Sequence, residues 1–336
     1  MMGRITLVAS AVLAGSLLAS VAAFAADIKP AVIYDLGGKF DKSFNEGVFN
    51  GATRFKKDTG IDFRDLEIQN EAQREQVLRK FAKDGYSPII MPGFAWATAL
   101  GKIADEFPNT KFGIIDMVVD KPNVQSMVFK AEEGSFLVGV IASETSKTGK
   151  VGFVGGMDIP LISAFECGYA QGVKYDSDGK HEVIANMTGT TPAAWNDPVK
   201  GGELAKSQID RGADIVYAAA GATGQGVLKA AADAGKFGIG VDSNQNGLFP
   251  GKILTSMLKR VDVATYDSFK DAKDGTWKPG VQVFGLKNDG VGYAVDENNK
   301  AILSDAAKAK AEAAKADIIS GKIQVHDYLS DNKCPT

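Results

Sequence analysis

Three aspartates, Asp35, Asp116 and Asp242, each stand directly after a short apolar run, "AVIY", "KFGII" and "FGIGV". An ionised carboxylate accepts hydrogen bonds and cannot donate them, so adjacent hydroxyls such as those of a sugar are natural partners. The alternative for each aspartate alone is a turn or a helix cap. The stretch "DLGGKFDKSFN" (35–45) invites a phosphate-loop reading, yet it fits neither GxxxxGK[ST] nor GxGxxG. The glycines of "GATGQG", which begins at Gly221, fall as G-x-x-G-x-G, and acids at strand ends would oppose an anion. Two flat rings complete the set: Phe44 after the first run and Trp195 in "TTPAAWNDP". Rings from opposite sides of a gap can sandwich a planar base, worth roughly 1–3 kcal/mol per base. Packing of Phe44 under its own helix is the plainer alternative, and core packing is the better reading of Phe94, Trp96 and Phe165.

Elements that would position these residues alternate along the chain. "KPAVIYDL", "DFRDLEIQ", "SPIIMPG" and "KFGIID" each lead into an amphipathic segment, and these four units fill residues 29–148. The alternation restarts at "KVGFVGG" and continues through "HEVIANMTG", "ADIVYAAAG" and "FGIGVDS". Strand–helix repetition of this kind predicts parallel sheets covered by helices on both faces, an α/β chain of two doubly wound lobes. The boundary is expected near Gly149-Lys150. Later elements, "KILTSMLKRVD", "VQVFGLKNDGVGYAV" and the Ala/Lys-rich "SDAAKAKAEAAKADIISG", would return to the first lobe and cross back, making a hinge with several crossings. The lobes are accordingly placed at 27–148 plus about 260–282 and 149–258 plus about 285–330, with 331–336 as a tail. Ligands of open parallel sheets gather beyond the carboxyl ends of the strands, which is where the three aspartates fall.

Composition narrows the function classes. With 38 basic against 41 acidic residues and no long charge block, nothing favours a nucleic-acid partner. Only two histidines occur, His181 and His326, and no GxSxG or HExxH constellation is present, so no catalytic set, metal site or cofactor is expected. Paired carboxylates leave a hydrolase as a minor alternative. Arg4 precedes an apolar run that ends in "AFA" before Ala26-Asp27, which predicts a cleaved secretory signal over 1–25. With no cysteine at the cleavage point, a protein free in a periplasm without a lipid anchor is expected. Cys167 and Cys334 are either bridged, as an oxidising compartment permits, or remain one buried thiol and one tail thiol.

The segments "DKSFNEGVFNG", "GGMDIPLISAFECGYAQG", "WNDPVKGGELAKSQIDRGADIVYAAAGATGQGVLKAA" and "GVDSNQ…ILTSMLKRVD" together resemble the basic-membrane-protein family. The resemblance covers residues 29 to about 330. Members are type I periplasmic solute-binding proteins, including purine-nucleoside binders, that serve ABC importers. The resemblance implies that fold, a nucleoside clamped between the lobes, a monomer, and an inner-membrane permease as partner. It implies Phe44 and Trp195 on the two faces of the base, Asn45 and Asp116 at its polar edges, and Asp242, Lys259, Gly221 and Asp35 at the ribose. Without the family motif, Lys259 reads equally as a solvent-facing lysine. Trp195 stands where relatives commonly carry Phe, and many relatives are lipoproteins. A sugar-binding protein or ligand sensor of the same architecture is the alternative, with purine preferred over pyrimidine for the cargo.

Overall fold

The computed structural model describes residues 28–335. The first part of the chain runs β1 (Ala31–Tyr34), α1 (Phe44–Thr59), β2 (Arg64–Glu67), α2 (Gln73–Lys83), β3 (Ile89–Pro92), α3 (Ala97–Glu106), β4 (Phe112–Ile115), β5 (Val124–Phe129) and α4 (Ala131–Thr145). The pattern restarts with β6 (Lys150–Met157), α5 (Pro160–Ser177), β7 (Glu182–Gly189), α6 (Pro198–Asp210), β8 (Ile215–Ala219), α7 (Thr223–Asp233), β9 (Phe237–Asp242) and β10 (Ile253–Lys259). It ends in α8 (Val261–Asp274), β11 (Gly280–Phe284), β12 (Val291–Tyr293) and α9 (Asp305–Ile319). The export signal expected over 1–25 lies outside the described residues.

The described residues form two six-stranded sheets, ordered β11-β5-β4-β3-β1-β2 and β12-β10-β9-β8-β6-β7. All neighbours are parallel except β12, which runs antiparallel to β10. The central strands β1, β3, β4 and β8 are buried along their whole length, as continuous apolar runs covered on both faces must be. Among the described residues the chain passes between the sheets three times: from β5 to β6, from β10 to β11 and from β11 to β12. These passes are tied together where the Lys130 amide donates to the Phe284 carbonyl at 2.8 Å and the Arg260 amide to the Gly290 carbonyl at 2.9 Å. Phe129 and Phe284 stack there at 4.8 Å.

Helix α4 has no solvent face to speak of. Val138, Ile141 and Ala142 belong to the second lobe's core, whereas Phe136, Leu137 and Val140 belong to the first. It can lie this close to α5 because Gly172 has no side chain: a Cβ there would come within 2.1 Å of the Phe136 carbonyl oxygen. Helix α9, expected in the second lobe, spans both cores, with Ala307 and Ala311 in one and Ala314 and Ile318 in the other. The two cysteines are joined; a disulfide fixes Cys334 of the tail to Cys167 of α5 with 5.6 Å between their Cα atoms.

Candidate functional site

The carboxyl ends of the two sheets face one another across a cleft of about 850 Å³, open solvent at its mouth included. All eight residues singled out from sequence line it. At one end the Lys259 ammonium, from the end of β10, lies 2.5 Å from a carboxylate oxygen of Asp116, from the end of β4, and both side chains are almost wholly buried. The pair therefore bridges the lobes. The same ammonium sits over three rings, Phe44 at 4.8 Å, Phe129 at 5.3 Å and Phe165 at 5.5 Å, a desolvated cation held by aromatic faces as well as by charge. Lys259 is thus a cleft residue and not a solvent-facing one.

Asp242 ends β9 beside this pair. Burial pushes its carboxyl above the ordinary range, the Lys259 charge and the Ser43 hydroxyl pull it back, and Asp116 adds to the rise. Ser43 donates to it at 2.5 Å from the opposite lobe. Asp116 and Asp242 share a further feature: both have left-handed backbone, with φ of 69° and 62°. Aspartate tolerates this region better than most residues, and the cost buys a sharp turn at the end of each strand.

The second aspartate of "DLGGKFDKSFN" has a different use. The Asp41 carboxylate accepts from the amides of Ser43, Asn45 and Glu46 at 2.8, 3.0 and 3.1 Å, closing the N-terminus of α1. Its burial pushes it up to about 7. With the turn fixed, Phe44 and Asn45 project from the first helical residues into the cleft wall, and the Asn45 amide nitrogen donates to the Gly38 carbonyl at 3.0 Å.

Asp35 is committed to a neighbour that sequence reasoning missed. Arg74 of α2 donates through Nη2 to both its carboxylate oxygens, at 2.8 and 3.1 Å, and itself lines the cleft. Arg74 lies within "EAQREQVLRK", a charge-rich helical run that reads as a solvated face, so no signal in the sequence marked it.

Trp195 ends a short 3₁₀ turn, Pro192–Trp195, after β7. Thr223 clamps that turn, donating to the Ala194 carbonyl at 2.8 Å and accepting from the Asp197 amide at 2.7 Å. The ring packs against Gly156 of β6, where a Cβ would meet it at 2.2 Å. Gly221, with φ of 55°, passes behind it and presents backbone to the cleft. Of the aromatics assigned to the core, Trp96 is buried there, whereas Phe94 and Phe165 also line the cleft. The histidines lie elsewhere, His181 against Ser143 and His326 against Asp331.

Further bonds cross between the lobes beside the cleft. Ser243 donates to the Ser43 carbonyl at 2.7 Å, Gln245 to the Lys42 carbonyl at 3.0 Å and Gln225 to the Asp41 carbonyl at 3.3 Å. Arg74 and Lys259, the cations of the cleft, are each matched by a carboxylate, and the rest of the lining is aromatic, aliphatic or acceptor-bearing. Such a cavity suits an uncharged molecule with hydroxyls at one end and a flat apolar body.

The chain is similar to known proteins. The profile of a family described as ABC transporter substrate-binding protein, PnrA-like (Bmp), matches residues 28–328. A lipoprotein of Pyrococcus horikoshii, otherwise uncharacterized, is 37% identical over 281 residues, 79% of this chain and 68% of its own. An ABC transporter nucleoside-binding protein, BmpA, from Lactococcus lactis is 32% identical over 325 residues, 89% of each chain. The crystal structure of an ABC transporter solute-binding protein from Aeropyrum pernix is similar with a TM-score of 0.82 at 31% identity, covering 89% of this chain and 93% of the other. The two lobes are accordingly those of the type I periplasmic binding protein fold. One expectation is corrected. The Pyrococcus horikoshii relative and its counterparts in Pyrococcus abyssi and Pyrococcus furiosus are all named lipoproteins, which speaks for attachment to a membrane and against an anchor-free protein diffusing in a periplasm. That expectation rested on a cleavage point within residues that the structure does not describe.

Proposed function

The chain belongs to the Bmp family, the PnrA-like substrate-binding proteins of ABC transporters, and on that footing we propose that its cargo is a nucleoside, with a purine base favoured. As a substrate-binding protein it is no enzyme, and it hands its ligand to a membrane permease. The nucleoside reading is carried by one observation: a buried acid–base cluster at one end of the cleft and two flat rings, Phe44 and Trp195, contributed by opposite lobes. The name of the Lactococcus lactis relative points the same way.

In this reading Asp242, Lys259 and Asp116 take the sugar hydroxyls, and the base lies between the rings. The division of labour differs from the one the family resemblance implied. Asp116 is bonded to Lys259 and so groups with the sugar set, not with the base edges. Asp35 lies at the end of β1, two strands from β4 in the sheet order, and in this reading it is grouped with the base. Each lobe owns part of the grip, so a bound nucleoside stabilises the closed arrangement over an open one by its contacts to both. The proposal is of a single chain acting as a monomer.

Gentle purification, denaturation and mass spectrometry of the released small molecule tests the reading directly, followed by calorimetry with nucleosides, free bases and ribose. Release of a nucleoside, and tighter binding of nucleoside than of ribose, is expected. Ribose binding as tightly as any nucleoside would instead identify a sugar carrier.

A further inference from the structure

We propose that Arg74 sets which base the cleft accepts, favouring 6-oxopurine nucleosides over 6-aminopurine nucleosides; this rests on the nucleoside reading above. Asp35 ends β1, and β3 stands between β1 and β4, so two strand spacings of about 4.8 Å separate it from Asp116 by roughly 10 Å. Arg74 and Asp35 therefore face whatever lies at the end of the ligand remote from the hydroxyl-binding cluster.

Chemistry follows from the bonds already made there. A lone Asp35 would only accept, and would select a base edge that donates, such as the amino group of adenine. Its acceptor capacity is largely spent: Oδ1 takes the Leu36 amide at 2.9 Å and Arg74 Nη2 at 2.8 Å, and Oδ2 takes the same nitrogen at 3.1 Å. The guanidinium has donors to spare. Among the described residues Nη1 has only Glu71, at 3.4 Å, which is long for a charged bond, whereas Nε is buried without a partner and is closed off from the cleft, so Nη1 is the donor left for a ligand. The polar surplus at this end of the cleft is thus of N–H donors. Arginine donors match the O6 and N7 acceptors of a 6-oxopurine, whereas the amino group of adenine would set donor against donor. The ordinary alternative, an arginine that merely buttresses Asp35, predicts no such selectivity.

Calorimetry on the full chain decides the matter with inosine, guanosine, adenosine and purine riboside, the last lacking any 6-substituent. Inosine and guanosine are expected to bind roughly ten- to a hundredfold more tightly than the other two, the worth of one or two charge-assisted bonds. Arg74→Met should bring the inosine-to-adenosine ratio close to one, with Arg74→Lys in between. Adenosine binding as tightly as inosine to the unaltered protein overturns the proposal, as does an equal loss for all four ligands in Arg74→Met. Should that variant not fold, equal affinity of the unaltered protein for inosine and purine riboside is by itself enough to overturn it. Failure of every nucleoside to bind would be a different result, since it removes the nucleoside reading and not only its selectivity.

Discussion

Asp242 is buried beside a second carboxylate, Asp116, and shares with it the single ammonium of Lys259. Taking it away removes the acceptor that Ser43 bonds and, in the proposed mode, one that the ribose bonds. Asp242→Ala is therefore expected to weaken nucleoside binding tenfold or more while the chain still folds; unchanged calorimetric affinity counts against the sugar assignment. Trp195 can be probed without touching it. Gly156→Ala drives a methyl group into its ring, so nucleosides should bind more weakly while ribose is spared, and equal losses for both would refute stacking. Away from the cleft, Glu132 of α4 is pushed up to about 8 by burial first and then by the Asp327 and Glu133 carboxylates, against its own amide and Lys130. Asp41 is pushed up to about 7. Both groups hold protons in the fold that the unfolded chain releases, so stability rises as pH falls through these values toward the ordinary carboxylate range. The melting temperature should be higher near about pH 5.5 than near about pH 8.5, and Glu132→Gln should raise it at the upper pH and flatten the profile. A profile rising with pH would contradict the burial argument. At this scale the strand-end rule sufficed to find Asp35, Asp116, Gly221 and Asp242, because it depends on topology alone. Lys259 needed the family motif and Arg74 was missed, since a long cationic side chain is read as solvated until its partners are known.

Helix α1 is the element on which the lobes meet. Asp41 fixes its first turn, and that turn offers its hydroxyl and carbonyls to β9 and to Gln225 and Gln245 across the gap. These bonds run between protein atoms of the two lobes, so they stabilise the arrangement in which the lobes meet. Ser43→Ala removes a bond to a carboxylate, of a kind worth about 1.5–3 kcal/mol. The unliganded variant is expected to have a larger radius of gyration by X-ray scattering and about tenfold weaker nucleoside binding, and Ser43→Thr should restore both. An unchanged radius would show that the bond does not hold the lobes. Helical elements were legible from their periodicity, but two features were not. Strand β5 follows β4 through the short return 116–123 without a helix, so the βα alternation gave no reason to look for it. Helix α4, expected as an amphipathic segment after "KFGIID", is buried on nearly all sides, Glu132 and Glu133 included, and that burial was not legible in its pattern.

Over the whole molecule, the sequence shows two similar lobes through the restart of the pattern at residue 150, whereas the sharing of α4 and α9 between the cores depends on packing that no local pattern encodes. The tail raises the same issue. After α9 the chain lays Ile323 and Val325 on the first lobe's core. It then pairs His326 with Gln171 of α5, at 2.8 and 3.0 Å, and ends in the disulfide to the same helix. Such a strap could either restrain the lobes or merely finish one side of the protein. Its anchors decide between these. Phe136 and Leu137 of α4 contribute to the core under the strap, and α4 is locked to α5 through Gly172, so both anchors belong to one tightly packed helix pair. Closure about the three crossings then leaves the strap undisturbed. Cys167→Ser with Cys334→Ser should cost about 2–5 kcal/mol, since the bridge closes a very long loop. The melting temperature should fall by several degrees, whereas nucleoside affinity and the ligand-induced change in radius of gyration stay as they were. Loss of affinity in step with stability would mean that the strap crosses the moving boundary, and that α4 and α5 separate when the lobes open.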